Sequence, residues 1–293
     1  MSAQDECGFH PLHIYYGKND LIHREIPEEK FWTPAHRGRI PGDRLWFSQH
    51  GQDVAVMRAL DYWRNNRTGG FFVDLAANDA VWASNTYALE QHFDWRGIWI
   101  EANPIYWHKL AYRHCHAVGA IVGTAKAPNE IVPVHLSTDR IHAPLGGIVG
   151  DRLGTKKQAK GVKVLRYTVP LATILERFQA PAVIDYLSLD VEGAEWFILS
   201  DFDFHRYRFQ VLTIERPPEK LQTLLRSHGY RKIYDLPRGD TLWAHTSIAD
   251  AAAERLKERP QDIAAHKTPE LSPDFLPGRL KVLSRNLIDT QSD

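Results

Sequence analysis

Gly70-Phe71-Phe72-Val73-Asp74-Leu75, followed by Ala76-Ala77-Asn78-Asp79-Ala80, is the stretch on which the reading of this chain turns. Its first half is short, aromatic and β-branched, and almost continuously apolar. Strands buried on both faces of a parallel sheet read this way. The run carries an acid, Asp74, near its end and then gives way to a polar turn. In an open α/β sheet, ligands sit outside the carboxyl ends of the strands, so Asp74 stands where a ligand is met.

Working outward, the same alternation continues. Ser84 is placed to cap a helix carrying Tyr87, Leu89 and Phe93. Gly97-Ile98-Trp99-Ile100-Glu101 reads as a second strand, and Asn103-Pro104 supplies a cap and a first-turn proline for the next helix. Ala117 to Val122 reads as a third strand, Val183 to Leu189 as a fourth, and Gln210 to Glu215 as a fifth. A helix from Pro218 to His228 leads to Gly229-Tyr230. Lys232-Ile233-Tyr234 and Thr241-Leu242-Trp243-Ala244 are separated by Asp235-Leu236-Pro237-Arg238-Gly239-Asp240, a hairpin signal. The expected fold is α/β, a doubly wound and mostly parallel sheet with a C-terminal antiparallel hairpin.

The flanks read differently. Residues 1–45 are rich in Pro, His and charge and lack a clear period, so they are expected to form an arm lying on the domain at 46–246. Residues 247–293 read as an Ala-rich helix over Ile248 to Glu258 and a Pro-rich tail. Ile131 to Gly161 breaks the alternation and is expected to be a mobile loop, with the basic run Arg152, Lys156, Lys157 and Lys160. Such a loop either stays solvated or steers an anionic acceptor toward the site mouth.

Composition excludes several classes. The 293 residues are 43 % hydrophobic and 25 % charged, which suits a globular protein with an ample core. Lys plus Arg and Asp plus Glu are each 36, so no net charge draws a phosphate backbone or an anionic membrane. No nucleic-acid or membrane partner is expected, and no apolar run approaches the roughly 20 residues that cross a bilayer. The N-terminus lacks an apolar core of the signal-peptide kind. Cys7 and Cys115 are the only cysteines, so a reducing, cytoplasmic setting is expected. No G-x-G-x-x-G follows the first strand, which argues against a nicotinamide cofactor.

Asp74 and Glu101 end consecutive strands, and an acid in the second place can accept both hydroxyls of a ribose. Asp190 and Glu192 follow the fourth strand. A carboxylate there can take a proton from an acceptor, bind a divalent metal that lowers a hydroxyl pKa, or cap the next helix. His114-Cys115-His116 lacks a second pair at ligand spacing, so no metal site is assigned.

From about Ser48 to His245 the chain resembles the FkbM family of methyltransferases. The matching words are Ser48-Gln49-His50-Gly51-Gln52-Asp53, Phe72-Val73-Asp74 with Ala77-Asn78-Asp79, and Ser84-Asn85-Thr86 with Ala88-Leu89-Glu90. Trp95-Arg96-Gly97 leads into Ile100-Glu101-Ala102-Asn103-Pro104, and Asp185 to Glu195, Ile214-Glu215 and Gly229-Tyr230 complete the set. The resemblance implies a class I methyltransferase-like (Rossmann-like) fold and methyl transfer from S-adenosyl-L-methionine, usually to a hydroxyl oxygen of a sugar, polyketide or similar small molecule. It also implies that Asp74 lies near the methionine end, that Glu101 holds the ribose, and that Ser48 to Asp53 closes over the cofactor.

The expected cofactor contacts are therefore Gln49, Asp53, Asp74, Ala76, Asn78, Ser84, Asn85, Glu101 and Asn103, and the expected catalytic set is Asp190, Glu192 and His50. One departure matters. The family's turn carries glycine where this chain has Ala76 and Ala80. Alanine in a left-handed conformation costs about 1 kcal/mol, so either the turn avoids that conformation or cofactor affinity falls. A catalytically silent cofactor-binding module of the same fold is the alternative reading.

Overall fold

The structure is a computed structural model that describes residues 46–62, 67–110, 113, 115–137, 147–148, 161–258 and 263, with two short strands at 12–15 and 21–24. The elements are β1 (Leu12–Tyr15), β2 (Leu21–Arg24), α1 (Gln52–Ala59), β3 (Phe71–Leu75) and α2 (Tyr87–Phe93). Next come β4 (Arg96–Glu101), α3 (Pro104–Leu110), β5 (His116–Gly119), β6 (Ile121–Gly123), β7 (Ile131–Ser137) and β8 (Gly147–Ile148). The chain continues with β9 (Gly161–Pro170), α4 (Leu171–Arg177), β10 (Val183–Leu189), α5 (Glu195–Leu199) and β11 (Arg208–Ile214). It closes with α6 (Glu219–Ser227), β12 (Tyr230–Asp235), β13 (Thr241–His245) and α7 (Thr246–Glu258).

Among the described residues, nine strands form one sheet in the order β12-β13-β11-β10-β3-β4-β5-β1-β2. Five central strands, β11, β10, β3, β4 and β5, run parallel, and β13 and β12 join antiparallel at one edge. Successive residues on each strand serve opposite faces, because side chains alternate across a pleated strand. Phe72, Trp99, Tyr186 and Val211 pack with α1, α2, α3 and α7 on one face. Val73, Ile98, Leu187 and Leu212 pack with α4, α5 and α6 on the other. Both faces are thus covered, which is why the strands read as continuous apolar runs. Close contact within the sheet is enforced at Gly97, where an added Cβ would run into the carbonyl and ring of Phe72.

Two expectations are corrected, and a third gains detail. The run read as one third strand is two: β5 belongs to the large sheet, and β6 pairs with β9 in a separate four-stranded sheet. The chain turns at Ala120, whose N–H donates to the Glu101 carbonyl. Ile131 to Ser137, read as the start of a mobile loop, is instead β7, paired antiparallel with β9 along its full length. Its inward residues Val132, Val134 and Leu136 bury a small core of their own with Ile121. The N-terminal arm contributes strands: β1 runs parallel beside β5, and β2 pairs with β1. The basic run 152–160 and the Pro-rich tail lie outside the described residues.

A smaller correction concerns Ser84. The helix begins later, at Tyr87 with Thr86 as its cap residue. The Ser84 hydroxyl still accepts from the Thr86 and Tyr87 N–H groups at 3.3 and 3.2 Å, so it serves the same unsatisfied donors from further upstream. The expected cap at Asn103 forms, its Oδ1 accepting from the Ile105 N–H at 3.2 Å.

A two-chamber candidate active site at the strand ends

The carboxyl ends of β3, β4, β10 and β11 converge on two adjoining cavities. The larger, about 260 Å³, is lined by Gln49, His50, Asp74, Asn85, Asp190 and Asp240 among others. The smaller, about 90 Å³, is walled by Ile100, Ile121, Val122, Val134, Leu136 and Ile198 with Glu101 and Asn103. Ala76, Asn78, Asp190 and Glu192 border both. A smaller, mostly apolar cavity carrying Glu101 adjoins a broader polar one, with Asp190 and Glu192 on the wall they share, an arrangement suited to a ligand with a flat ring at one end and charge at the other.

The expected site residues fall into two groups. His50, Gln49, Asp74, Ala76, Asn78, Asn85, Glu101, Asn103, Asp190 and Glu192 line these cavities. Asp53 and Ser84 do not, and both build the wall behind. The buried Asp53 carboxylate accepts from the Phe47 N–H at 2.7 Å, the Ser48 N–H at 3.0 Å and the Ser48 hydroxyl. It fixes the segment that carries Gln49 and His50 to the start of α1. Ser84 accepts from Arg113 at 3.0 Å.

Asp74 is buried and accepts from the Thr86 hydroxyl at 2.6 Å. Burial raises its pKa, and the Thr86 bond and the Arg113 charge oppose that rise. The Glu101 carboxylate accepts from the backbone N–H of Asn103 at 2.6 Å and of Asn78 at 2.9 Å. Burial outweighs those bonds and lifts Glu101 to about 7. Burial also holds Asp190 well above the usual carboxylate range, with Glu215 and Glu192 adding like charge beside it. Burial and Glu215 lift Glu192 to about 7 and Asp240 to about 6, and burial lifts Glu195 to about 7.

Oxygens of Asp190, Glu192 and Glu215 lie within 4.8 Å of one another. Such a set can share a proton, and its spacing alone also suits a divalent cation. Glu215 pairs with Arg216 at 3.0 Å, and Asp240 accepts from Gln52 at 2.9 Å. Glu215, Asp240, Gln52 and Arg216 were not among the residues expected from sequence.

Backbone strain is concentrated here. Ala76, Asn78, Ala83, Glu192, Arg216 and Arg238 are six of the ten described non-glycine residues with positive φ, and all six line the larger cavity. Each such residue costs on the order of 1–3 kcal/mol, and such strain collects at ligand sites. Ala76, at φ 62, answers the question raised by the missing glycine: the turn keeps the left-handed conformation and bears its cost. Ala80 has no positive φ and is buried in the core. Ala76→Gly should therefore raise the melting temperature by about 2 °C, since relief of strain exceeds the added chain entropy. Cofactor binding should hold or tighten. A lower melting temperature in differential scanning fluorimetry would show that Ala76 is unstrained.

The pKa shifts fix a sign for stability. These carboxyls favour the protonated form more in the folded chain than in the unfolded one. Their stabilisation is complete below about pH 4 and is lost as pH rises through 6 to 7. Between pH 5.5 and pH 8 the melting temperature should fall by on the order of 5 °C. A double variant, Glu192→Gln with Asp240→Asn, should flatten that fall, and an equal fall would place the titrating groups elsewhere.

A doubly wound sheet with acids at consecutive strand ends and cavities outside them is the arrangement in which open α/β proteins meet their ligands. Residues 74–232, more than half of the chain, match the family described as the Methyltransferase FkbM domain. The chain belongs to the FkbM methyltransferase family. Comparison with curated proteins and with solved structures gave no match. Among the described residues, no helix is long and apolar enough to cross a membrane.

Proposed function

We propose that this protein is a class I methyltransferase that moves the methyl group of S-adenosyl-L-methionine to a hydroxyl oxygen of a small molecule. The observation that carries the reading is the placement of Glu101 in the apolar chamber and Asp190 on the wall between the two chambers. The chemistry of the donor set fits the cofactor. An apolar slot suits the adenine ring, and a buried carboxylate with unused lone pairs suits the ribose hydroxyls. Asp74 and Asn78 at the turn suit the ammonium and carboxylate of the methionine end. When bound, the cofactor supplies an electrophilic methyl carbon on a sulfonium.

An acceptor hydroxyl that took up that methyl group would have to lose its proton. The cavity offers carboxylates that can take that proton. Asp190, on the wall between the two chambers, is the group placed to receive it, and it does so in its ionised form, which burial and the neighbouring Glu215 and Glu192 disfavour. Orientation by the fixed cavity walls supplies much of the remaining rate.

The cofactor half of the reading is tested first. Glu101→Ala should weaken S-adenosylhomocysteine binding by about 2 kcal/mol, as the bonds from the ribose hydroxyls are lost. Calorimetry that returned wild-type affinity would remove Glu101 from the site. The silent-module alternative predicts cofactor binding with no turnover on any acceptor. The retained left-handed turn at Ala76 speaks against a collapsed site.

A further inference from the structure

We propose that Trp82 is the platform on which the acceptor lies, and that the acceptor is an uncharged or cationic ring bearing hydrogen-bond donors along one edge. This rests on the methyl-transfer reading above.

Trp95, Trp99 and Trp243 are fully buried, whereas Trp82 is 50 % exposed and lines the larger cavity. Its position is fixed from both sides. Asp79 Oδ1 accepts from the Val81 and Trp82 N–H groups, each at 3.0 Å, and Asp79 Oδ2 is held by Lys109 at 2.8 Å. On the other side, Ala83 is left-handed and bridges to Ser48. Ala80 and Val81, just before the indole, are buried at 0 % and 1 %. The turn thus anchors two apolar residues in the core and displays the third at the cavity. The backbone that carries the indole is fixed, and an indole displayed at a cavity is well suited to stack on the C–H face of a ring.

The other groups on the same cavity complete the recognition. Asn85 donates through Nδ2 to the Ser188 hydroxyl at 3.0 Å, while its buried Oδ1 has no hydrogen-bond partner among the described residues. Asp190, Glu192 and Asp240, when ionised, offer only acceptor oxygens. Of the cations on this cavity, Lys109 is paired with Asp79 and Arg216 with Glu215, which leaves the exposed Arg238. The ligand that satisfies this lining presents donors, O–H or N–H, to one side and an apolar face to the indole. A carboxylate or phosphate on the ligand would face three carboxyls, Asp190, Glu192 and Asp240, against the single Arg238.

The test uses the full chain saturated with S-adenosylhomocysteine. Methyl α-glucopyranoside, myo-inositol and glucosamine are the ring probes, sorbitol is the open-chain control, and glucuronate is the anionic control. Acrylamide quenching of tryptophan emission in wild type minus that in Trp82→Phe isolates the Trp82 indole. At least one ring probe should protect that component, and sorbitol and glucuronate should not. Calorimetry with the protecting probe should show about a tenfold loss of affinity in Trp82→Ala and retention within about threefold in Trp82→Phe. S-adenosylhomocysteine affinity should be unchanged in both.

Protection by no ring probe, or equal protection by sorbitol or glucuronate, would overturn the proposal. So would a Trp82→Ala variant that loses S-adenosylhomocysteine affinity, which would place the indole on the cofactor. Failure of wild type to bind S-adenosylhomocysteine at all would instead remove the underlying methyl-transfer reading.

Discussion

Asp190→Asn should lower methyl transfer by about 10²- to 10⁴-fold while S-adenosylhomocysteine affinity stays within about a factor of three. The substitution keeps shape and removes the only function required of this group, which is to receive a proton. The same change removes one of several carboxylates that repel each other around the cavity. The variant should accordingly be more stable than wild type at pH 8, with a higher melting temperature. Loss of activity joined to a gain in stability separates a chemical role from a structural one, because a damaged fold moves both downward. Titration with a chelator adds a third arm. Activity lost to the chelator and restored by Mg²⁺ would assign the carboxylates to a cation, and indifference would leave Asp190 as the base. Wild-type transfer by Asp190→Asn would retire it from catalysis.

Arg113→Met should cost about 3–5 kcal/mol of stability, the largest effect expected of any single substitution outside the strands. Arg113 is fully buried, and its Nε donates to Glu90 at 2.9 Å. Its Nη1 reaches the Ala80 carbonyl at 3.2 Å and Ser84 Oγ at 3.0 Å, and Nη2 reaches Thr86 Oγ1 at 3.1 Å. The guanidinium also lies over Trp99, 4.5 Å from the ring centroid. Removing it takes from the buried Glu90 its 2.9 Å ion pair, while the Cys115 thiol still donates to Glu90 at 3.3 Å. The melting temperature should fall by about 10 °C. Adding Glu90→Leu should recover part of the loss, because it removes the buried carboxylate that Arg113 neutralises. Thr86 also donates to Asp74, so the single variant should weaken the cofactor's hold even where it remains folded. A melting temperature within about 2 °C of wild type would show that the pair is solvated.

The strands were legible because a sheet covered on both faces forces continuous apolar runs, and Phe72 and Val73 show why: they serve opposite cores. Most of the acids at the site were legible by the same logic, since a carboxylate at a strand end meets the ligand space. That logic extends to Glu215, which directly follows β11, and would have found it had it been applied to the fifth strand as well. Asp240 sits in a hairpin turn where Asp is expected for turn chemistry alone. Only its bond to Gln52, 188 residues away, reveals that it faces the cavity. Asp53 and Ser84 carry family words, but their oxygens are consumed by nearby backbone donors, so they support the site from behind. Arg113 gives no local signal at all. Its partners are spread from Ala80 to Glu90, and nothing in their spacing announces a shared ion pair.

The way the small sheet is attached has a consequence for how this protein can diverge. The chain enters that sheet along β6 and leaves along β9, and these two strands are parallel neighbours, Ile121 beside Thr168 and Gly123 beside Pro170. Entry and exit therefore share one doorway in the frame, and β7 and β8 hang from it as an exchangeable cassette. Lengthening or replacing that cassette rethreads no strand of the large sheet. It does renew one wall of the apolar chamber, through Val134 and Leu136. Homologues should accordingly tolerate grafting of this cassette between chains far better than grafting of any segment from β10 to β13, and altered cofactor affinity should be the first trait to travel with it.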